Sequence, residues 1–439
     1  MIKGESMLKI KDFFKQPIMY VLIVCIIIQM LMYSVWENYG EQNDSLSYLE
    51  SYNKGSIFKG YVNQERTPVY PYFIKTIKKL GGEENLKKNI VLVQKILFLI
   101  SIVLFYYALK TITKNKLILT LITLIFGIAP GLVAWNAMIL TEAISVFETV
   151  LLVFFTLKYL QNSSKISAIF INIMIFIMIL TRPAFIFLMP IYLLFWAIRF
   201  FTNKEEKKNI IVALISFVVV TIMLIGYCLL VKMNYGNFGL TSVSNVNNVT
   251  TAICSNGYKN SKNEKLKNRI QELAGENPEP AKVFDVWYIV ETEYSNEELK
   301  EFAKESLYNN KEYREYLVNK IINLSEKNIG TLYNFVTQKY QKETFKIYDM
   351  KIMENIVLPI NFGMIYLMLL GTISYLIYYL IKHKKIDWIL AFCTVFIFAN
   401  LFTAIVGAPY ETQRLFISAI VFVLLEIAYI MEKYKKMEN

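Results

Sequence analysis

The feature that most constrains this chain is a series of apolar runs, each close to the roughly 20 residues that a helix needs to cross a bilayer core. Hydrophobic residues make up 55% of the 439 residues, and the mean hydropathy is +0.39. The runs lie at about 17–36, 89–109, 117–134, 139–160, 166–180, 184–201, 209–231, 355–381, 386–406 and 415–431. This pattern predicts an all-α polytopic membrane protein with about ten transmembrane helices.

The positive charge of the chain has an interpretation that fits a membrane protein. The formal net charge is +12, but lysine and arginine occur in short clusters between the apolar runs. Such clusters are typical of cytoplasmic loops, whereas a nucleic-acid-binding protein carries a basic patch on a soluble domain. We therefore expect the lipid bilayer as a partner, and no nucleic acid.

The basic clusters also predict the topology. If the N-terminus is cytoplasmic, every short basic cluster falls on the cytoplasmic side, and the C-terminus lies there as well. Two long segments, 37–88 and 232–354, are then extracytoplasmic. The chain divides into an N-terminal transmembrane region at 1–231, a mostly helical extracytoplasmic segment at 232–354, and C-terminal transmembrane helices with a cytoplasmic tail at 355–439.

The apolar stretch 166–201 could be read as one long helix. A single crossing would move the basic cluster that begins at Arg199 to the outer side, against the charge pattern. Two short crossings with a turn at Arg182-Pro183 keep this cluster inside, and proline disfavours helical backbone in the residue before it. In 232–354, apolar residues at three- and four-residue spacing predict amphipathic helices that pack on one another or on the membrane face.

Several classes of chemistry find no support in the sequence. The four cysteines are scattered, and the single histidine, His383, lies in the basic stretch KHKK on the predicted cytoplasmic side. No metal-ligand spacing and no disulfide framework is recognisable. The chain also lacks a Walker loop and a GxGxxG motif, so ATP-driven transport receives no support. We assign no metal ligand and no cofactor from the residues alone.

A set of charged and polar residues instead collects on the predicted outer side. Asp44 follows the first span, Glu142 opens the fourth, and Arg182 ends the fifth, while Arg414 precedes the tenth. Arg66 and Tyr70, in the motif RTPVYPYF of the first outer loop, can fold back onto the same face. Any one of these residues could equally be an interfacial anchor. As a group they are more consistent with function, because ionisable residues beside apolar spans are costly to maintain.

One or two acids with several arginines suit a particular reaction. When a sugar leaves from a lipid phosphate, the departing phosphate needs no proton from a general acid, and arginines can hold it through bidentate contacts. One carboxylate then remains to take the proton from the attacking hydroxyl. Glycoside hydrolases, in contrast, usually need two carboxylates.

At this point the sequence resembles a known family. The order NDSLSYL, RTPVYPYF, LTEAIS, TRPAF and an arginine before the last span is similar to GT-C glycosyltransferases of the ArnT and protein O-mannosyltransferase type. The resemblance covers most of 17–233 and 355–431, and 258–354 has no counterpart. It implies a multispanning helical fold with an outward-facing cavity, a polyprenyl-phosphate-linked sugar as donor, and an extracytoplasmic acceptor.

The resemblance also implies roles for individual residues. Asp44 takes the place of the general base, and Arg66, Arg182 and Arg414 would contact the donor phosphate. Tyr70 lies in the RTPVYP segment of the cavity wall, and Glu142 stands where the family often has an acid. Many relatives have paired acids in the first loop, but here Asn43 precedes Asp44, so Glu37 and Glu41 remain alternatives. Some members use a divalent metal and others do not, which leaves metal dependence open.

Two rival functions remain at this stage. A polymerase or ligase of surface polysaccharide would share the architecture but use a diphosphate-linked oligosaccharide. A transporter or flippase of lipid-linked sugar would instead show charged or broken segments near mid-membrane. The spans contain few internal charges, with Lys95, Glu148 and Glu426 as the notable exceptions.

Overall fold

A computed structural model describes residues 16–34, 39–51, 62, 64–236, 238–275, 280–308, 310–327, 360–409 and 412–438. Over these ranges the chain is helical, and an isolated β-bridge pairs Gly40 with Met138. The helical membrane architecture expected from the apolar runs is therefore confirmed.

The described part of the N-terminal region contains ten α-helices. They are α1 (Pro17–Ser34), α2 (Asn43–Ser51), α3 (Val69–Gly81), α4 (Leu86–Leu109), α5 (Lys116–Ile128), α6 (Pro130–Trp135), α7 (Glu142–Asn162), α8 (Lys165–Thr181), α9 (Leu188–Thr202) and α10 (Lys207–Tyr235). A 3₁₀ turn at Pro183–Phe187 joins α8 to α9.

The remaining helices of the described residues form the segment after α10 and the C-terminal bundle. They are α11 (Val243–Cys254), α12 (Glu264–Ala274), α13 (Pro280–Glu293), α14 (Asn296–Leu307), α15 (Lys311–Ser325), α16 (Phe362–His383), α17 (Trp388–Val406), α18 (Thr412–Phe416) and α19 (Ile420–Glu438).

Seven helical segments of the described chain are long and apolar enough to cross a membrane. They are Leu86–Leu109, Glu142–Asn162, Pro183–Thr202, Lys207–Tyr235, Phe362–His383, Trp388–Val406 and Thr412–Lys435. Three further apolar helices, Pro17–Leu31, Lys116–Ile128 and Lys165–Thr181, are shorter. The protein is thus a multi-pass membrane protein, while the count of ten spans stays a prediction.

The turn expected within 166–201 is present. Helix α8 ends at Thr181, and Arg182 adopts an extended conformation with φ −142° and ψ 116°. The following proline explains this geometry, because its ring clashes with a helical conformation of the preceding residue. The break places the Arg182 side chain at the end of one span and the start of the next.

Helices α4, α7, α8 and α10 pack side by side around the core of the bundle. Aromatic residues fill the end of α7 and the adjoining face of α9, where Tyr159 meets Trp196 edge to face at 5.0 Å. The Asn172 side chain finds hydrogen-bond partners inside the bundle, as expected where no water is present. The Asn172 amide donates to the Ala213 carbonyl at 2.8 Å.

The segment between α10 and α16 forms a small helical lobe with its own apolar core. Helices α11 to α14 enclose Val249, Tyr258, Trp287 and Phe302, all buried. Helix α15 lies apart from this core and packs against α16 and α17 of the bundle. The amphipathic helices predicted for this segment are confirmed, and they pack both on one another and on the membrane-spanning part.

Candidate active site

Asp44 lies in the first turn of α2, directly after the first span. The partial positive charge of a helix N-terminus favours a carboxylate there. The Asp44 side chain is 34% exposed, so it is partly accessible from solvent. Partial access is one requirement of a general base.

Arg66 contacts α2 through three neighbouring residues. Its Nη2 donates to Asp44 Oδ1 at 2.8 Å, and its Nε donates to Ser47 Oγ at 2.7 Å. The guanidinium also lies over the Tyr48 ring, 4.5 Å from the centroid. One turn of α2 thus presents an acid, a hydroxyl and an aromatic face to a single arginine, which fixes the orientation of its planar fork.

Arg414 approaches Asp44 from the opposite end of the chain. Its Nη1 lies 2.9 Å from Asp44 Oδ2, and its Nε donates to Glu142 Oε1. The same guanidinium therefore joins an acid at the start of α2 to an acid at the start of α7. Trp135 covers it, with 5.8 Å between the guanidinium carbon and the ring centroid.

Arg182 completes the group on the far side of Glu142. Its Nη2 lies 3.6 Å from Glu142 Oε1, and only 8% of its side chain is exposed. Its Nη1 is buried and has no hydrogen-bond partner in the described part of the chain. A buried donor without an acceptor is costly, and a bound ligand oxygen would satisfy it.

The backbone holds the two acidic helix starts together. Gly40 N donates to Ala137 O at 2.8 Å, and Ile139 N donates back to Gly40 O at 3.0 Å. This pairing ties the segment before Asp44 to the turn before Glu142. The relative position of the two carboxylates thus depends on main-chain hydrogen bonds as well as on side chains.

Tyr70 lies one layer beneath the charged group. It is fully buried on the face of α3 that also carries Ile74 and Ile77, at helical spacing. Its ring meets Tyr48 edge to face at 5.0 Å, and its hydroxyl donates to Gln94 Oε1 at 2.8 Å. Tyr70 therefore supports the aromatic ring under Arg66, and its contact with substrate stays a prediction.

The electrostatics of Asp44 follow from its neighbours. Burial acts to raise the pKa of this carboxyl, but the guanidinium groups of Arg414 and Arg66 act more strongly in the other direction. The pKa of Asp44 therefore lies well below its usual range, and the carboxylate is ionised at any physiological pH.

The structure brings together five of the six residues expected from the sequence as one chain of ion pairs. In order of contact they are Arg66, Asp44, Arg414, Glu142 and Arg182. Glu142 is fully buried, so it holds the two arginines from behind. Of the alternative acids, Glu41 pairs with Lys87 at 2.5 Å, and Glu37 lies outside the described residues.

Sequence reasoning missed Ser47, Gln94 and Trp135. Gln94 Nε2 donates to the carbonyls of Asn136 at 3.2 Å and Met138 at 2.7 Å, which braces the turn before Glu142. A lone amide inside an apolar run such as VLVQKILF is a signal that could have identified it, because a buried amide in a membrane needs partners. For Ser47 and Trp135 no such signal exists.

The described residues contain no group of three or more His, Cys, Asp or Glu side chains arranged to hold a metal ion. The two acids of the site, Asp44 and Glu142, are both engaged by Arg414, whose positive charge lies between them. This arrangement does not fit a cation site formed by these two carboxylates. We therefore derive no step through a metal.

Comparison with known proteins supports the same architecture. Residues 65–227 match the sequence family described as dolichyl-phosphate-mannose-protein mannosyltransferase. The matched region begins just before Arg66 and includes Tyr70, Glu142 and Arg182. No curated protein sequence matches the chain.

Two solved structures of an oligosaccharyltransferase from Archaeoglobus fulgidus resemble this fold. One, tethered to an acceptor peptide containing the NVT sequon, has a TM-score of 0.50 and 14% identity over 98% of this chain and 52% of that chain. The other, AglB in complex with an inhibitory peptide and a dolichol-phosphate, has a TM-score of 0.49 and 14% identity over 97% and 52%. This chain thus spans about half the length of the structures that it matches.

The fold and the site together define a multi-pass membrane protein with a GT-C fold. Within it, residues 65–227 match the model of the dolichyl-phosphate-mannose-protein mannosyltransferase family. The resemblance to GT-C glycosyltransferases that the sequence motifs predict is thereby confirmed.

Proposed function

We propose that this protein is a membrane glycosyltransferase that transfers a sugar from a polyprenyl-phosphate-linked donor to an acceptor on the extracytoplasmic face. The observation that carries this proposal is the partly exposed Asp44 carboxylate, held between the guanidinium groups of Arg66 and Arg414. The match of residues 65–227 to a family named for a dolichyl-phosphate-linked donor supports the same donor chemistry.

The arrangement suits an inverting single displacement. The acceptor hydroxyl attacks the anomeric carbon, its proton passes to Asp44, and the bond from that carbon to the phosphate oxygen breaks. The electron pair leaves with the phosphate, which the arginines stabilise through paired donors. No second acid is needed for the leaving group. This accounts for a site in which the fully buried Glu142 contacts arginines and is closed to solvent.

The ion pairs of Asp44 link donor binding to the strength of Asp44 as a base. While Arg66 and Arg414 contact the carboxylate, the low pKa of Asp44 makes it a weak base. A donor phosphate that accepts hydrogen bonds from these arginines weakens their hold on Asp44. The pKa of the carboxyl then rises toward its ordinary value, and the base becomes stronger when the donor is in place.

Arg182 fits the same role as a third phosphate contact. Its buried Nη1 lacks a partner among the described residues, and Glu142 anchors its Nη2 side. With three arginines available, the site can neutralise a phosphate without a divalent ion. We accordingly propose metal-independent transfer, and undiminished activity after chelation with EDTA tests it.

The location of the site follows from the topology. We place both termini in the cytoplasm and the charged group on the extracytoplasmic side, because the short basic clusters then share the cytoplasmic side. The helical lobe of α11 to α14 shares the outer side with the site. Its backbone joins the first outer loop where Ser242 N donates to Gln64 O at 2.8 Å.

Two of the three charged residues inside the spans, Lys95 and Glu148, do not favour the transporter alternative. Lys95 lies over the Tyr33 ring, with Nζ 3.7 Å from the centroid. Glu148 accepts a hydrogen bond from Thr181 at 2.6 Å. Both groups are engaged within the protein, whereas a transport path uses such charges to contact the substrate.

The direct test uses the purified full-length protein in lipid nanodiscs. Lipid-linked sugars extracted from cells that lack the gene serve as donors, and release of the sugar is followed with and without added acceptor. We expect the wild type to consume one polyprenyl-phosphate sugar and to be stabilised thermally by it. Consumption of a diphosphate-linked oligosaccharide instead would favour a polymerase or ligase, and consumption of neither would reject the proposed function.

A further inference from the structure

A cavity of about 380 Å³ lies beside the charged group, between α15 and the turn that leads into α18. This volume falls within the range of small-molecule sites in proteins. Its lining includes Tyr316, Asn319, Lys320, Asn323, Thr412 and Gln413. Neither the sequence motifs nor the family match at 65–227 includes these residues.

The cavity shares a wall with the proposed catalytic site. Thr412 and Gln413 line the cavity, and the next residue of the same short helix, Arg414, lies 2.9 Å from Asp44 Oδ2. The cavity is therefore lined by residues that directly precede, along the chain, the arginine that contacts the proposed base.

The opposite wall is fixed by contacts to the bundle. Tyr316 donates its hydroxyl hydrogen to Pro409 O at 2.7 Å. Lys320 Nζ donates to the carbonyls of Ile405, at 2.7 Å, and Ala408. These carbonyls belong to the C-terminal end of α17, where a cation is favourable. The Lys320 ammonium group is thus bonded to backbone carbonyls, and these contacts hold α15 against the bundle.

The other polar groups of the lining are Lys327, three amides and a hydroxyl. Asn319 and Asn323, on α15, each carry both a donor and an acceptor, and Thr412 does the same through its hydroxyl. Sugar hydroxyls also donate and accept, so this lining is complementary to a hydroxyl-rich ligand.

We propose that this cavity is an acceptor subsite for a carbohydrate unit, held by Asn319 and Asn323, so that the acceptor is a glycolipid or polysaccharide and not a polypeptide. This inference rests on the proposed glycosyltransferase function and names its acceptor class. The chemical step is the one given above, with a sugar hydroxyl as the attacking group and its proton passing to Asp44.

The test separates acceptor binding from the donor reaction. The full-length protein in nanodiscs receives the donor lipids together with one of two probes: octyl glycosides of glucose, galactose, mannose and N-acetylglucosamine, or a Ser/Thr-containing peptide. Transfer to the probe and hydrolysis of the donor by water are both measured. Hydrolysis requires the donor site and the base but not the cavity, so the ratio of transfer to hydrolysis reports on the acceptor subsite.

We expect wild-type transfer to at least one octyl glycoside and none to the peptide. In the double variant Asn319→Leu/Asn323→Leu this ratio should fall about tenfold or more, while Asn268→Leu, an exposed asparagine of α12, should leave it at the wild-type value. Transfer to the peptide, an unchanged ratio in the double variant, or donor hydrolysis with transfer to no glycoside would overturn the acceptor proposal. Absence of both reactions in the wild type would instead reject the proposed function itself.

Discussion

Arg414 joins Asp44 to Glu142 through one guanidinium, with Nη1 2.9 Å from Asp44 Oδ2 and Nε bonded to Glu142 Oε1. One of the two acids is partly open to solvent, and the other is fully buried. Their environments therefore differ, since of the two only Asp44 is accessible from solvent. Glu142 instead supplies the negative charge that keeps Arg414 and Arg182 in place.

Replacement of Asp44 by asparagine tests the base. The amide would keep the shape of the carboxylate but could not take a proton, so transfer should fall by at least the ~10²–10⁴ typical of general base catalysis. The donor concentration for half-maximal rate should stay equal or decrease, because the carboxylate no longer competes with phosphate for Arg66 and Arg414. Steady-state rates on the purified variant measure both effects. Glu41→Gln, which alters an acid paired with Lys87, is the matched control. Full activity of Asp44→Asn would show that another acid is the general base.

The phosphate role of the arginines predicts sensitivity to lysine. Arg182→Lys and Arg414→Lys should require about tenfold or more donor for half-maximal rate, because lysine lacks the planar fork that binds two oxygens. For Arg414→Lys the maximal rate should fall as well, since Arg414 also positions Asp44. Arg199→Lys is the control, because Arg199 pairs with Glu206 away from the site. Wild-type donor dependence in both site variants would identify these arginines as interfacial anchors.

Glu142→Gln should destabilise the protein and weaken donor binding together. The substitution removes the counter-charge of two nearly buried arginines, and loss of one partner of a buried ion pair typically costs about 3–5 kcal/mol. Glu148→Gln should be much milder, because glutamine can still accept the hydrogen bond from Thr181. Thermal unfolding of both variants with and without donor provides the comparison. Equal melting temperatures would contradict the anchoring role of Glu142.

The pH dependence should differ between the free and the donor-bound protein. In the free protein the pKa of Asp44 is lowered by its arginines, so the acid limb of kcat/KM should lie below the ordinary aspartate value of about 3.9. If the donor phosphate binds these arginines in place of Asp44, the acid limb of the pH profile of kcat should lie at a higher pH. The pKa of Asp44 is lower in the folded than in the unfolded protein, so its ionised form stabilises the fold. The contribution of Asp44 is complete above about pH 4 and is lost as the pH falls toward its folded-state value. If the acid limbs of kcat/KM and kcat lie at the same pH, the donor phosphate does not replace Asp44 as the partner of these arginines.

The orientation in the membrane can be measured with single cysteines. Cys25 and Cys393 are buried, so a background with Cys228 and Cys254 replaced is suitable. In intact cells an impermeant thiol reagent should label Asn268→Cys in the helical lobe and not Lys384→Cys in the turn after α16. The reverse pattern would place the charged group on the cytoplasmic side and would remove the basis for an extracytoplasmic reaction.

The amino-acid sequence alone determined the class of the protein, the break at Arg182-Pro183 and the residues that carry charge on one side of the membrane. These properties are local, because apolar run length, proline geometry and the positions of basic clusters act within a few residues of the chain. Only the tertiary structure decided how the charges pair. That Arg414 contacts both Asp44 and Glu142, that Glu142 is sealed from solvent, and that α15 encloses a cavity beside them depend on how distant helices pack. Such contacts join segments that are far apart in sequence. Hydropathy and residue spacing do not predict which of these segments meet.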